Sequence, residues 1–323
     1  MAKRKVFENL SPTPQMAEGN NIFTALMAIS KRPKDTRPRV ELPSMKVDLK
    51  NFHSQKPAII WFGHSSYLIH ANGINILVDP VLSGYASFLS FQFRAFKGAD
   101  IYKVPDMPEI DWIILTHNHY DHLDYNALKK LAASTNAFIT PLKVSSTIKH
   151  FAIKNGTITE LDWWQSKQLA DNIKITATPA RHFSGRSLRR NGSLWCSYVL
   201  EIDNYNLFLG GDSGYDHHFK TIGDKFGPFD IALLECGQYN KMWPYIHSMP
   251  EELIPEAQDL QAKVVMPVHW AKFALALHPW HEPIQRFVAA ADAAALKYTT
   301  PMIGEPVILD ERYPKSNWWA KFI

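Results

Sequence analysis

The chain has 323 residues, 46% of them hydrophobic, which is enough for one large core, and no apolar run reaches the roughly 18–20 residues that a membrane helix needs. Its net charge of +4 is unevenly placed: residues 1–50 hold ten Lys and Arg against five Asp and Glu, while the remainder is near balance. The body therefore offers no basic surface for nucleic acid, and two cysteines, Cys196 and Cys236, cannot build a disulfide framework and suit a reducing, cytoplasmic compartment.

Residues 1–50 read as a basic N-terminal extension, and residues 51–323 as one domain. The N-terminus is basic but has no apolar stretch behind it, so no secretory signal is expected. Within the extension, 21-NIFTALMAIS-30 suggests a short amphipathic helix, and 30-SKRPKDTRPRV-40 concentrates the positive charge. Two readings of this leader stay open, a solvated extension and a cationic arm that touches anionic lipid or a partner.

Strand signals begin at 58-AIIWF-62. The run 67-YLIHA-71 leads through Asn72-Gly73, a strong hairpin turn, into 74-INILVD-79. The apolar run 112-WIILT-116 predicts a buried strand, and Asp124 a cap for a helix over 125–134. A strand over 137–140 and a helix over 141–154, with Pro141 in its first turn, follow. The second half repeats the style, with strands over 173–179, 196–202, 205–210, 230–235 and 263–270. Helices are expected over 250–260 and 282–297. Strands and helices without a linker predict a single α/β domain with sheets inside and helices outside.

The stretch 115-LTHNHYDHL-123 crowds His117, His119, Asp121 and His122 into six residues just past a buried strand. Two side chains two residues apart in extended chain point the same way, so His117 and His119 can grip one ion. Asp121 and His122 come after the chain has turned and can serve a second. Three imidazoles crowded together are costly unless something binds them. His182, Asp212 and His269 each fall just past another apolar strand, where a rigid sheet edge assembles sites. Seven imidazole and carboxylate ligands suit two Zn²⁺ ions about 3.5–4 Å apart, and Mn or Fe can use the same donors.

This pattern resembles the metallo-β-lactamase superfamily. Within it, 61-WFGHSSYLI-69, 78-VDPVLS-83, 117-HNHYDHLDYNAL-128, 210-GGDSGY-215, 247-HSMPEE-252 and 269-HWAKFALA-276 resemble the N-acyl-phosphatidylethanolamine-hydrolysing phospholipase D family. The resemblance implies an αβ/βα four-layer sandwich. It implies that His117, His119 and His182 bind one zinc, that Asp121, His122 and His269 bind the other, and that Asp212 bridges them. Asp79 would support the ligand loop from behind. His64, on an edge loop near the metals, and His247 would contact substrate. Ile246 stands where animal members carry a polar residue, and the stretch before His247 is shorter, so the departures fall where substrate is shaped.

The implied activity is hydrolysis of a phosphodiester by metal-activated hydroxide, on an N-acyl-phosphatidylethanolamine-like phospholipid. Asp212 and Asp121 would orient the hydroxide, and His247 the phosphate or leaving group. A lactonase, or another ester or amide hydrolase on the same metals, is the alternative, because one fold hosts many chemistries. The aromatic segment 84-GYASFLSFQFRAF-96, without an acidic residue, could wall an acyl-chain cavity, dip into a membrane as a peripheral contact, or pack under a surface loop. No nucleic-acid partner is expected, and a homodimer, the commonest closed oligomer, stays open.

Overall fold

A computed structural model of the chain describes residues 6–20, 24, 27, 28, 33–150, 157–186 and 190–323. The helix expected over 21–30 lies largely outside the described residues.

Two mixed sheets make the interior. The first runs β13 (Pro306–Ile308), β1 (Ala58–Trp61), β2 (Tyr67–Ala71), β3 (Ile74–Val78), β4 (Ile110–Ile114), β5 (Thr135–Pro141) and β6 (Thr157–Leu161). The second runs β12 (Val265–Val268), β11 (Ile231–Glu235), β10 (Tyr205–Leu209), β9 (Ser197–Ile202), β8 (Ile173–Thr178) and β7 (Ser166–Ala170). In the first sheet β3 to β6 pair in parallel, and in the second β10 to β12 do, while the remaining pairs are antiparallel.

Alternation along each strand sets the layers. Ile59, Trp61, Ile76, Val78, Ile114 and Ile139 face the second sheet and pack on its strands. Their neighbours Ile60, Leu77, Ile113 and Phe138 face outward onto α1 (Tyr125–Leu131) and α2 (Val144–His150), through Leu128, Leu131, Val144 and Ile148. The outer face of the second sheet is covered by α3 (His218–Phe226), α4 (Leu253–Asp259) and α5 (Glu282–Ala293), through Phe219, Ile222, Leu253, Ile284 and Phe287. The result is the α/β four-layer sandwich that the sequence resemblance implies.

Local rules explain several boundaries. Asn72 and Gly73 both have positive φ, 55° and 75°, as a two-residue turn between β2 and β3 requires. Asp124 caps α1, its carboxylate accepting from the backbone N–H groups of Asn126 and Ala127. Pro141 does not begin a helix. It ends β5, pairing with Leu161 of β6 after the ladder to β4 has stopped at Ile139, so its missing N–H costs no bond there.

Candidate metal centre

The strand directions bring the ligand-type residues to one edge of the sandwich. His117, His119, Asp121 and His122 follow β4, and Asp79 follows β3, in the first sheet. His182, Asp212 and His269 follow β8, β10 and β12 in the second, and Glu235 ends β11. Two of these positions, Asp79 (φ 41°) and His269 (φ 67°), and His64 (φ 55°) in the loop after β1, are held with left-handed backbone at non-glycine residues. Such strain persists only where surrounding structure enforces it, and it clusters at functional sites.

Among the described residues three donor groups share this edge: one, Asp212, Glu235, His247 and His269, overlaps the others, and two with no residue in common hold all seven predicted ligands. In the first, His117, His119, His182 and Asp212 bring one ligand atom each to within 4.8 Å of one another. His117 Nε2 lies 2.9 Å from His119 Nδ1, and His182 Nε2 lies 3.2 Å from the same atom. The outer nitrogens fix the tautomers. His182 Nδ1 donates to the Ile246 carbonyl at 2.7 Å, and His117 Nδ1 to Thr116 Oγ1 at 3.0 Å, because the Thr116 hydroxyl itself donates to Asp79. Their Nε2 lone pairs therefore converge. Burial holds His117 and His182 well below the usual histidine range, and His119 at about 4, so all three rings stay neutral and basic toward a cation.

In the second set, His64, Asp121, His122 and His269 converge in the same way. His122 Nδ1 donates to Asp79 at 2.7 Å, which turns its Nε2 toward Asp212 Oδ1, 3.1 Å away. Neither of those facing atoms makes a well-angled hydrogen bond, and His269 Nε2 and His64 Nδ1 are also buried without one. Orphaned buried acceptors are rare and costly. For His122 burial opposes charge, but Asp212, Asp121 and Asp79 outweigh it and raise its proton affinity well above normal. The cluster is thus built to hold positive charge, and a divalent cation satisfies that demand for both sets.

Asp79 lies behind the loop. It is fully buried and accepts from the Thr116 N–H at 2.8 Å, the Thr116 hydroxyl at 2.6 Å and His122. Burial raises its carboxyl despite these donors. His64, expected at the substrate, is instead fully buried beneath Asp121, donating to it at 2.9 Å and stacking on His269 at 3.9 Å between ring centres.

Sequence reasoning missed Glu235. Its Oε2 accepts from His247 Nδ1 at 2.7 Å, and its Oε1 from the backbone N–H groups of Ser213 and Ser248. Burial pushes the Glu235 carboxyl up to about 7. At His247 burial works against charge, but the Glu235 carboxylate outweighs it and lifts the imidazole to about 9. The local signal was a carboxylate at the end of an apolar strand, the same position that singled out the histidines.

The donor sets open into a cavity of about 420 Å³ whose walls include His247, Ile246, Arg190, Phe183, Trp243 and Met16. Met16 comes from the N-terminal extension, which runs along the body. Asn9 clamps the His182 backbone, donating to its carbonyl at 2.7 Å and accepting from its N–H at 3.1 Å. Arg181 donates to the Pro12 carbonyl and to Thr13. A larger cavity, about 1140 Å³, lies on the far side of the 117–123 loop beside Tyr120, Asp124 and Phe88, and none of the seven predicted ligands lines it.

Residues 74–270 match the family described as Beta-lactamase superfamily domain. The chain belongs to the metallo-β-lactamase superfamily. It is a metal-dependent hydrolase of that superfamily, by family membership and by its two donor sets. It is 34% identical to an uncharacterized protein of Mycobacterium tuberculosis over 97% of this chain and 85% of the relative. It is 30% identical to the N-acyl-phosphatidylethanolamine-hydrolyzing phospholipase D 1 of Caenorhabditis elegans, over 78% of this chain and 75% of the relative. Among solved structures, Igni18, a metallo hydrolase from Ignicoccus hospitalis, shares the fold with a TM-score of 0.60 at 20% identity, covering 80% of this chain and 100% of that one.

Proposed function

We propose that the protein cleaves a phosphodiester in a phospholipid of the N-acyl-phosphatidylethanolamine type by a phospholipase D reaction. The observation that carries this reading is the cavity itself. On its floor Asp212, of the first donor set, lies 3.1 Å from His269 of the second, and its wall pairs cationic groups, Arg190 and the raised His247, with the apolar surfaces of Phe183, Trp243 and Met16. An anion with an apolar tail matches both halves. The similarity to the C. elegans phospholipase supports the same substrate class.

In this reading His117, His119 and His182 would hold one cation and Asp121, His122 and His269 the other, with the Asp212 carboxylate within reach of both sets. Zinc suits these donors, and manganese and iron can also use them. Bound divalent cations supply an acidified water at neutral pH and a charge that stabilises the phosphoryl oxygens. The chain's own residues do the rest. Asp212 and Asp121 accept hydrogen bonds and orient the attacking water. Glu235 holds His247 Nδ1, leaving Nε2 to donate to a phosphate oxygen or to the departing alcohol. Arg190 binds the remaining phosphoryl charge, and the apolar wall orients the tail.

The test is elemental analysis and turnover on one purified sample, with an N-acyl-phosphatidylethanolamine in mixed micelles, bis-p-nitrophenyl phosphate and a simple lactone as substrates. Two metals per chain with release of phosphatidic acid are expected. Lactone turnover well above turnover of either phosphodiester would overturn the reading in favour of a carboxylic ester substrate.

A further inference from the structure

The aromatic segment after β3 is neither core nor cavity wall alone. It is a projecting hairpin. Tyr85 and Arg94 form an antiparallel bridge, the Ala86 N–H donates to the Phe93 carbonyl at 3.1 Å, and the Ala95 N–H to the Gly84 carbonyl at 2.9 Å. At its tip Phe88, Leu89, Phe91 and Phe93 are 80%, 41%, 65% and 42% exposed. Every exposed phenylalanine among the described residues is on this tip. Single exposed apolar residues are ordinary, but four within six positions form a patch that marks an interaction surface.

The root of the hairpin is rigid and leads to the metal centre. Val81 and Ala86 are buried against Phe273, with Ala95 and Leu275 packed on them. Phe273 stands edge-on to His64 at 5.3 Å, and Leu275 lines the cavity. The root is therefore packed against side chains that reach the metal centre, while Phe88 at the tip borders the larger cavity.

The flanks of the hairpin are cationic. The leader passes beside it: Arg37 donates to the Arg94 carbonyl at 2.8 Å and lies over the Phe96 ring, and the Leu42 N–H donates to the Lys97 carbonyl. Segments 34–41 and 84–97 together carry Lys34, Arg37, Arg39, Arg94 and Lys97 against Asp35 and Glu41, and Asp35 is already paired with Arg39. Lys34, Arg37, Arg39, Arg94 and Lys97 are all exposed. An apolar tip with a cationic collar fits the interface of an anionic bilayer, where aromatic rings sit at headgroup depth and cations meet lipid phosphates. A second copy fits poorly, because a two-fold contact would set each collar against itself.

We propose that the hairpin 84–95 docks the protein on an anionic phospholipid surface, with Phe88 and Phe91 inserted and Arg37, Arg94 and Lys97 at the headgroups. This rests on the phospholipid reading for the kind of surface, yet its test needs no lipid turnover.

The experiment is co-sedimentation of the full chain with phosphatidylcholine vesicles, with and without phosphatidylglycerol, for the parent and for the double variant Phe88→Ser, Phe91→Ser. The parent should bind the phosphatidylglycerol vesicles, more weakly as salt rises. The double variant should lose at least about tenfold in partition, since the apolar insertion is gone. Its hydrolysis of soluble bis-p-nitrophenyl phosphate and its melting temperature should match the parent's, because both rings face solvent. Equal partition of parent and variant, or no partition of the parent, overturns the proposal. So does a parent that sediments as a dimer while the variant is monomeric, which would assign the hairpin to a second copy. Intact vesicle binding without diester hydrolysis would overturn the functional reading and leave the docking surface standing.

Discussion

Lys272 sits three residues past His269, 1% exposed, with its ammonium donating to the carbonyls of Phe62 and Val81, both at 2.9 Å. It ties the loop that carries His64 to the loop that follows Asp79. Burial lowers it from the usual 10.5 to about 8. A base whose folded value is depressed binds fewer protons folded than unfolded between those two values, so it costs stability below about 8 and the cost fades as pH rises toward 10.5. The variant Lys272→Met removes that titration but leaves two carbonyls unpaired, a loss of about 1–3 kcal/mol. Denaturant unfolding of both proteins from pH 7 to pH 10 should show the parent gaining on the variant as pH rises above about 8. A constant difference across that window would refute the depressed value. At this scale the sequence was most legible where ligand types were local, as in His117 to His122. Glu235 carried the same strand-end signal as the histidines, but its role depends on His247, which only the fold brings against it.

At the scale of elements, the strong alternations and the Asn72-Gly73 turn were readable because they carry their own periodicity and turn chemistry. β6 and β7 were not: each is an edge strand with little apolar burial, Thr157 to Glu160 being partly or fully exposed, so no alternation marks them. α3 lacks a capping side chain and contains Gly223, which removes the usual start signal. The N-terminal leader was least legible, since Asn9 and Met16 act through contacts far away in sequence. Asn9 grips the backbone at His182, so the strap is expected to hold a ligand in place as outer partners of metal sites do. Deleting residues 1–20, or the milder Asn9→Ala, should weaken metal affinity by about 10–100-fold in a competition titration, with the sheet content unchanged by circular dichroism. Parent-like affinity in both variants would reduce the strap to a wall of the cavity.

At the scale of the whole molecule, neither donor set belongs to one sheet. His117 and His119 hang from the first sheet and meet His182 and Asp212 from the second. His64, Asp121 and His122 hang from the first and meet His269 from the second. Sequence alone places each ligand at a strand end but says nothing of how far apart the two sheets stand, and only the packing of side chains such as Ile114 and Val199 between them sets that distance. A cation held by either set would therefore brace the sandwich as well as supply chemistry, because its ligands come from both sheets. Binding that favours only the folded state adds about 4 kcal/mol at a free concentration a thousandfold above the dissociation constant. For a chain of this size that corresponds to roughly 6 °C in melting temperature. Calorimetry before and after chelation should show a drop of that order, with recovery when zinc or manganese is returned. The test has to be paired with elemental analysis. A melting temperature that stays put while the metal is shown to be gone would mean that the sandwich holds its edge closed without help, and that the strained backbone at His64, Asp79 and His269 is sustained by the packing beneath it alone.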